Sequence, residues 1–108
     1  MRSEEGFEVI ELSGEVDLHH APTVRKEILA VLEGSRDLLV NLSRVDTIDS
    51  SGIATLVEAF QLAKSKGLNF GLLEISETVS QVLTLTRLNK VFLIFDDLES
   101  FVAAARGH

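Results

Sequence analysis

A chain of 108 residues is long enough for one hydrophobic core and too short for two, so we expect a single domain spanning residues 1–108. Seventeen acidic residues against ten basic ones give a formal charge of −7, which argues against binding nucleic acid or anionic lipid through bulk electrostatics. Hydrophobic residues make up 45%, which excludes a disordered polyanion, and the absence of cysteine excludes disulfides, thiolate catalysis and Cys-based zinc sites.

The chain contains no apolar run that approaches the roughly 20 residues needed to cross a bilayer. Its first six residues lack the apolar core of a signal peptide. We therefore expect no direct membrane insertion and a cytoplasmic location.

Two strands are predicted at the start of the chain. The run Phe7–Leu12 is rich in strand formers, and Ser13 and Gly14 interrupt it. The segment Met1–Ser3 is predicted to be a short strand folded back on that run through residues 4–6.

The first helix is predicted to carry Pro22 in its first turn, where the missing N–H costs nothing, and to end at Gly34. Its apolar residues repeat at helical spacing: Val24, Ile28, Val31 and Leu32. The nearly continuous apolar run Leu38–Leu42 that follows is typical of a strand covered on both faces.

The second helix has the clearest periodicity, beginning near Ser51 or Gly52 and ending at Gly67. Its apolar side comprises Ile53, Leu56, Val57, Phe60 and Ala63. Its polar side comprises Ala54, Glu58, Gln61 and Ser65. Leu62 falls on the polar side, which is out of place for a core residue.

The last third of the chain predicts two strands and two helices. Asn69–Leu73 and Val91–Phe95 are apolar strands, and the second of these is the strongest strand prediction in the chain. Ser76 is predicted to cap a short helix, and Asp96 or Asp97 a closing one. The inward residues of these helices are Val79, Val82, Leu83, Leu98, Phe101, Val102 and Ala105.

The alternation of strands and helices predicts an α/β fold. We expect a mostly parallel central sheet of about four to five strands with about four helices, because crossover helices join parallel neighbours.

The most informative motif is Asp49-Ser50-Ser51-Gly52, at the start of the second helix. We expect the loop 43–50 to leave the second buried strand at the carboxyl edge of the sheet, where ligands and partners meet such folds. A hydroxyl at a helix N-terminus lies where added negative charge is favoured, and Gly52 permits another group to approach closely. From the residues alone, an ordinary helix cap on Ser50 or Ser51 is the stronger explanation.

Two segments resemble the signatures of the STAS domain, and more narrowly the bacterial anti-sigma factor antagonists: Leu12–Asp17 and Val45–Gly52. The resemblance covers essentially the whole chain. It implies that Ser50 is phosphorylated by a partner anti-sigma factor that is a serine kinase. The unphosphorylated form would bind and sequester this partner and release a sigma factor, and a phosphoserine phosphatase would restore it. Arg87 departs from the family, which frequently has glycine there.

The predicted partner-binding residues surround that serine. They are Asp17, Asp49, Ser50, Ser51, Gly52, Thr55, Glu58 and Leu62. Asp17 is included because the resemblance brings it near the motif. Thr55, Glu58 and Leu62 are included as candidates on the polar side of the second helix, with Leu62 taken as an exposed leucine.

We expect neither catalysis nor a cofactor. The residues that flank Ser50 do not match Gly-x-Ser-x-Gly, and a Walker A loop is absent, so ATP is expected to bind the partner kinase. No metal site is expected, since His19 and His20 are adjacent and cannot point the same way.

Two other functions remain open at this point. STAS proteins also serve as regulatory subunits of lipid-trafficking ABC transporters. A small-ligand or nucleotide-binding regulatory module is the second, although the chain lacks a glycine-rich phosphate cradle.

Overall fold

A computed structural model of the chain describes residues 2–4 and 7–106, with side chains for residues 7–105. Its strands are β1 (Arg2–Glu4), β2 (Phe7–Val16), β3 (Asp37–Ile48), β4 (Phe70–Leu73) and β5 (Ile94–Phe95). Its helices are α1 (Ala21–Glu33), α2 (Ser50–Ser65), α3 (Glu77–Leu85) and α4 (Leu98–Arg106). One turn of 3₁₀ helix, Leu88–Lys90, lies between α3 and β5.

The strands form one sheet in the order β1-β2-β3-β4-β5. Strands β2 to β5 are parallel, and β1 pairs antiparallel with β2 at one edge. The α/β prediction is therefore confirmed, as is the short strand folded back at the start. Met1 and residues 5 and 6 of that predicted hairpin lie outside the described residues.

The core has two layers because alternate strand residues point to opposite faces of the sheet. Leu38, Val40 and Leu42 of β3 pack on the face covered by α1, α2 and α3. Leu39 points to the other face, where it joins Phe7 and Phe101 beneath α4. The rings of Phe7 and Phe101 meet edge to face with centroids 5.3 Å apart. Helix α4 thus covers the end of the sheet away from the serine motif.

Strands β2 and β3 are longer than predicted. The β2 strand continues through Gly14, which has a φ of +71° and lies between two shifts in register with β3. The segment predicted as the loop 43–50 is strand as far as Ile48. That prediction was wrong because each strand supplies the other with hydrogen bonds, while Val45 and Ile48 turn inward.

The strand predicted over Val91–Phe95 is reduced to its last two residues. The backbone N–H groups of Val91 and Phe92 both donate to the carbonyl of Leu88 (2.9 and 3.0 Å), so the turn holds them out of the sheet. Phe92 is buried, whereas Val91 is exposed. An apolar run alone does not reveal that its first half belongs to a turn.

The predicted caps of the last two helices are confirmed. Ser76 Oγ accepts the N–H of Val79, and Asp97 Oδ1 accepts the N–H and the hydroxyl of Ser100. Pro22 lies in the first turn of α1 as expected.

Candidate functional site

Ser50 is the first residue of α2, immediately beyond the carboxyl end of β3. Its side chain is exposed, and its hydroxyl has no hydrogen-bond partner among the residues that the structure describes. No hydrogen bond joins this oxygen to a basic side chain within the described ranges. The oxygen is accessible to a reagent that a second protein brings.

The helix cap is Asp49, not a serine. One carboxylate oxygen, Oδ1, accepts the N–H groups of Ser51 (2.9 Å) and Gly52 (3.1 Å). Asp49 has extended backbone geometry, whereas Ser50 and Ser51 are already helical. The prediction of a capping serine was therefore wrong, and the hydroxyl of Ser50 is released from any structural duty at this helix end.

The second carboxylate oxygen of Asp49 joins α2 to the loop after β2. Oδ2 accepts the N–H of Leu18 at 3.1 Å. Asp17, Leu18, His19 and Asp49 line an open depression of about 260 Å³. The structure thus brings Asp17 and Asp49 to one place, 32 residues apart in the sequence, as the resemblance implied.

Asp17 is engaged within its own turn. Its Oδ1 accepts the N–H groups of His19 and His20 at 3.1 Å and lies 2.8 Å from Nδ1 of His20. The hydrogen bond with the His20 ring lowers the pKa of Asp17 below its usual value, so its charge persists beside the serine motif.

Gly52 permits the close approach of α2 to the sheet. A Cβ at this position would lie 2.6 Å from the carbonyl oxygen of Val16 and 2.7 Å from Cγ1 of Ile48. The prediction of a close approach is confirmed. Gly52 is buried, however, so it orients the helix and offers no surface to a partner.

The side of α2 that was expected to be polar and exposed is in part buried. Thr55 is only 7% exposed, and its hydroxyl donates to the carbonyl of Ser51. Leu62 is half-buried and packs against the core. Glu58 is exposed and accepts a hydrogen bond from Arg25 of α1.

The spacing of these three residues places them along one stripe of α2, and the Arg25–Glu58 pair shows that this stripe faces α1. The expectation that Thr55 and Leu62 lie on a solvent surface was wrong because α1 packs beside them. Of the three, Glu58 is exposed, Leu62 is half-buried and Thr55 is buried.

Two exposed residues near Ser50 are absent from the predicted partner-binding set, although Ala54 was expected on the polar side of the second helix. Leu18 is 73% exposed at the rim of the depression, held there by its bond to Asp49. Ala54, one helical turn after Ser50, is also exposed. The signal that could have identified Leu18 was its position between an aspartate and a histidine in a predicted loop.

The described residues contain no group of three or more His, Asp or Glu side chains placed to hold a metal ion. None of the described helices is both long and apolar enough to cross a membrane.

Comparison with known proteins places this geometry in context. The family model described as the STAS domain matches residues 1–101. The anti-sigma-B factor antagonist of Bacillus subtilis (strain 168) is 28% identical over 82 residues, which are 76% of this chain and 75% of the relative. The crystal structure of an anti-sigma factor antagonist from Mycobacterium paratuberculosis superposes with a TM-score of 0.83 at 27% identity, covering 97% of this chain and 90% of the other.

A third structure shares the fold at lower identity. It is the Bacillus cell-fate determinant SpoIIAA in its phosphorylated form, with a TM-score of 0.75 and 21% identity, covering 98% of this chain and 96% of the other.

Proposed function

This chain belongs to the STAS domain family, and from that premise we propose that it acts as an anti-sigma factor antagonist switched by phosphorylation of Ser50. The unphosphorylated form binds an anti-sigma factor and thereby releases a sigma factor. A serine kinase activity of that partner transfers phosphate from ATP to Ser50, and a phosphoserine phosphatase removes it. The named antagonists among the relatives support the choice of partner.

The observation that carries the proposal is the free, exposed hydroxyl of Ser50 at a helix start. A kinase requires an accessible acceptor oxygen, and a switch requires that esterification leave the fold intact. Both requirements are met because Asp49, and not Ser50, satisfies the amides of the first turn.

The same cap explains why phosphate would alter the surface. A phosphoserine carries about −1.5 to −2 charges at neutral pH. Asp49 already occupies the N–H groups of Ser51 and Gly52, so the phosphate oxygens are directed outward rather than into the helix end. The helix dipole still favours the added charge by about 0.3–1 kcal/mol, which offsets repulsion from Asp49.

A partner that packs on this rim meets a new dianion beside Asp17 and Asp49. Burying an unpaired charge in an interface costs about 2–5 kcal/mol, which lowers affinity more than tenfold. The depression lined by Leu18 and the exposed Ser50 at the start of α2 form the surface from which the phosphate excludes the partner.

The test uses the purified chain, ATP and an anti-sigma factor kinase encoded in the same genome. We expect one phosphate per chain on a peptide that contains Ser50, none on Ser50→Ala, and normal incorporation on the matched variant Ser51→Ala. In titrations without ATP, Ser50→Ala should bind the anti-sigma factor like the wild type and Ser50→Asp more than tenfold more weakly.

Equal binding by Ser50→Ala and Ser50→Asp would contradict the switch. Co-purification with an ATP-binding cassette subunit in place of the kinase would assign the chain to transporter regulation.

A further inference from the structure

The two adjacent histidines of the loop after β2 make different contacts. Nδ1 of His20 lies 2.8 Å from Oδ1 of Asp17, and the same oxygen accepts the backbone N–H groups of both histidines. The ring of His19 is exposed and has no hydrogen-bond or ion-pair partner within residues 7–105. One imidazole therefore fastens its own turn, whereas the other is free to bind a further group.

His19 lies at the depression beside the serine motif. Four described residues line this depression: Asp17, Leu18, His19 and Asp49. The N–H of Leu18 donates to Oδ2 of Asp49 at 3.1 Å. His19 directly follows Leu18 and Ser50 directly follows Asp49, and consecutive Cα atoms lie about 3.8 Å apart. His19 and Ser50 are thus each one residue from the two ends of the same hydrogen bond.

The depression offers one cation to a phosphate on Ser50. Of the described residues that line it, two are carboxylates, and only His19 can become positively charged. The ring of His20 is already bonded to a carboxylate of its own turn. Arg25 of α1 is bonded to Glu58 of α2. The free imidazole is therefore the group that can offset the charge of the phosphate.

The helix cap favours such a contact. Asp49 accepts the N–H groups of Ser51 and Gly52, so a phosphate on Ser50 is turned away from the helix end. Imidazole side chains ordinarily titrate at about pH 6.5, and the second ionisation of a phosphoserine lies at about pH 6. An imidazolium and a phosphate dianion therefore coexist in this range, where they form a charge-assisted hydrogen bond.

We propose that the imidazolium of His19 binds the phosphate on Ser50 and holds it over the depression. His19 is then a positioning residue of the switch, because the phosphate that it holds covers the side chain of Leu18. This inference rests on the proposed function, since it takes Ser50 as the phosphorylated residue.

The pair depends on pH because His19 must carry its proton. It weakens as the pH rises through the range in which imidazole becomes neutral. The titratable groups that face His19 are Asp17 and His20 in its own turn and Asp49, which caps α2. Both carboxylates are engaged by backbone N–H groups, so neither is free to displace the phosphate from the ring.

The test places phosphoserine at position 50 during translation, so no kinase is required. ³¹P NMR then measures the second pKa of the phosphate. We expect this pKa to lie at least about half a pH unit lower in the otherwise unaltered chain than in His19→Gln, because a nearby positive charge favours the dianion. His19→Lys, which keeps a positive charge, should restore the lower value. The amide signal of Leu18 should follow the phosphate titration, and this response should shrink in His19→Gln.

Two matched controls localise the pair. Phosphorylated Ser65 lies in the same helix, about 22 Å from Ser50 along its axis, and the pKa of its phosphate should not change in His19→Gln. His20 is adjacent in the sequence, but its ring is bonded to Asp17. His20→Gln should therefore change the pKa of the phosphate on Ser50 less than His19→Gln does.

Equal phosphate pKa values with and without His19→Gln would overturn the pairing. So would a larger effect of His20→Gln, since the phosphate would then bind the other histidine. Neither result contradicts the proposed function, because a kinase can modify Ser50 without this pair. Conversely, a kinase that fails to modify Ser50 contradicts the proposed function and leaves the ³¹P result unchanged. His19 and Ser50 are both exposed, so these variants keep the buried core intact.

Discussion

The carboxylate of Asp49 accepts the backbone N–H of Leu18 through one oxygen while the other caps α2. One side chain thus fixes the start of the helix that carries Ser50 and the loop that faces it. The two segments come from neighbouring parallel strands, so their spacing depends on this bridge as well as on the sheet.

Replacing Asp49 should separate its two duties. Asp49→Ala loses the cap and the tether to Leu18, and we expect the free energy of unfolding to fall by about 1–2 kcal/mol in urea denaturation. Asp49→Asn keeps a capping oxygen but presents an amide to Leu18, so its loss should be smaller. Asp46→Ala removes an exposed aspartate near the end of β3 and is the control. If Asp49→Ala and Asp49→Asn lost the same free energy of unfolding, the cap and the tether to Leu18 would not contribute separately.

Gly52→Ala should destabilise the fold by about 1–3 kcal/mol, because its Cβ would lie 2.6 Å from the carbonyl oxygen of Val16, a backbone atom that cannot rotate away. Thermal unfolding followed by circular dichroism measures the change. Gly34→Ala is the control, since the nearest atom there is 3.3 Å away and the φ of −78° suits alanine. A Tm for Gly52→Ala equal to that of the wild type would show that α2 can shift off the sheet without cost.

Arg87→Gly should stabilise the chain. Arg87 has a φ of +62° at the end of α3, a left-handed conformation that strains any residue with a Cβ. Relief of this strain, reduced by the greater entropy of glycine in the unfolded chain, should raise the free energy of unfolding by up to about 1 kcal/mol. Thr86→Gly, at the neighbouring position with a φ of −93°, should destabilise instead.

The sequence predicted the fold where local signals and tertiary packing agree. Ser76 and Asp97 cap helices as their positions indicated, and the alternation of elements specified a parallel sheet. The sequence-based prediction failed where hydrogen-bond pairing between strands determines whether a segment is strand or loop. Residues 43–48 read as a loop because they are largely polar, yet they are strand because β2 extends beside them. No local pattern encodes that neighbour.

The candidate site shows the same division. The motif located Ser50 at the helix start, but spacing could not decide which of three adjacent polar residues caps the helix. Thr55 and Leu62 were misplaced because amphipathicity reports one buried face, whereas α2 packs on the sheet and on α1 at once. Leu18 was missed because its exposure depends on a contact from the next loop.

The stability of the folded chain should depend on pH through Asp17, in the turn after β2. The hydrogen bond from His20 lowers the pKa of Asp17 below 3.8, so the folded state gains stability above about that pH and loses it as the pH falls through the lowered value. We expect carboxyl NMR titration to show the pKa of Asp17 rising toward 3.8 in His20→Ala. His19→Ala, which keeps the ring contact, is the control. An unchanged pKa in His20→Ala would assign the shift to the backbone N–H groups.

Leu18 should be an anchor for the anti-sigma factor. It is 73% exposed, yet Asp49 holds its backbone beside Ser50, so its side chain is presented to a partner with little loss of backbone freedom on binding. Burying a leucine contributes about 1.5–3 kcal/mol, so Leu18→Ser should lower affinity about tenfold or more in calorimetric titration while stability changes by less than about 0.5 kcal/mol. Leu85→Ser provides the matched control, because Leu85 is 84% exposed at the end of α3. Crossover helices run antiparallel to the strands, so the end of α3 lies near the amino ends of the strands, whereas Ser50 lies beyond the carboxyl end of β3. If both serine variants bind the anti-sigma factor as the wild type does, the loop after β2 orients Asp17 and Asp49 without contacting the partner itself.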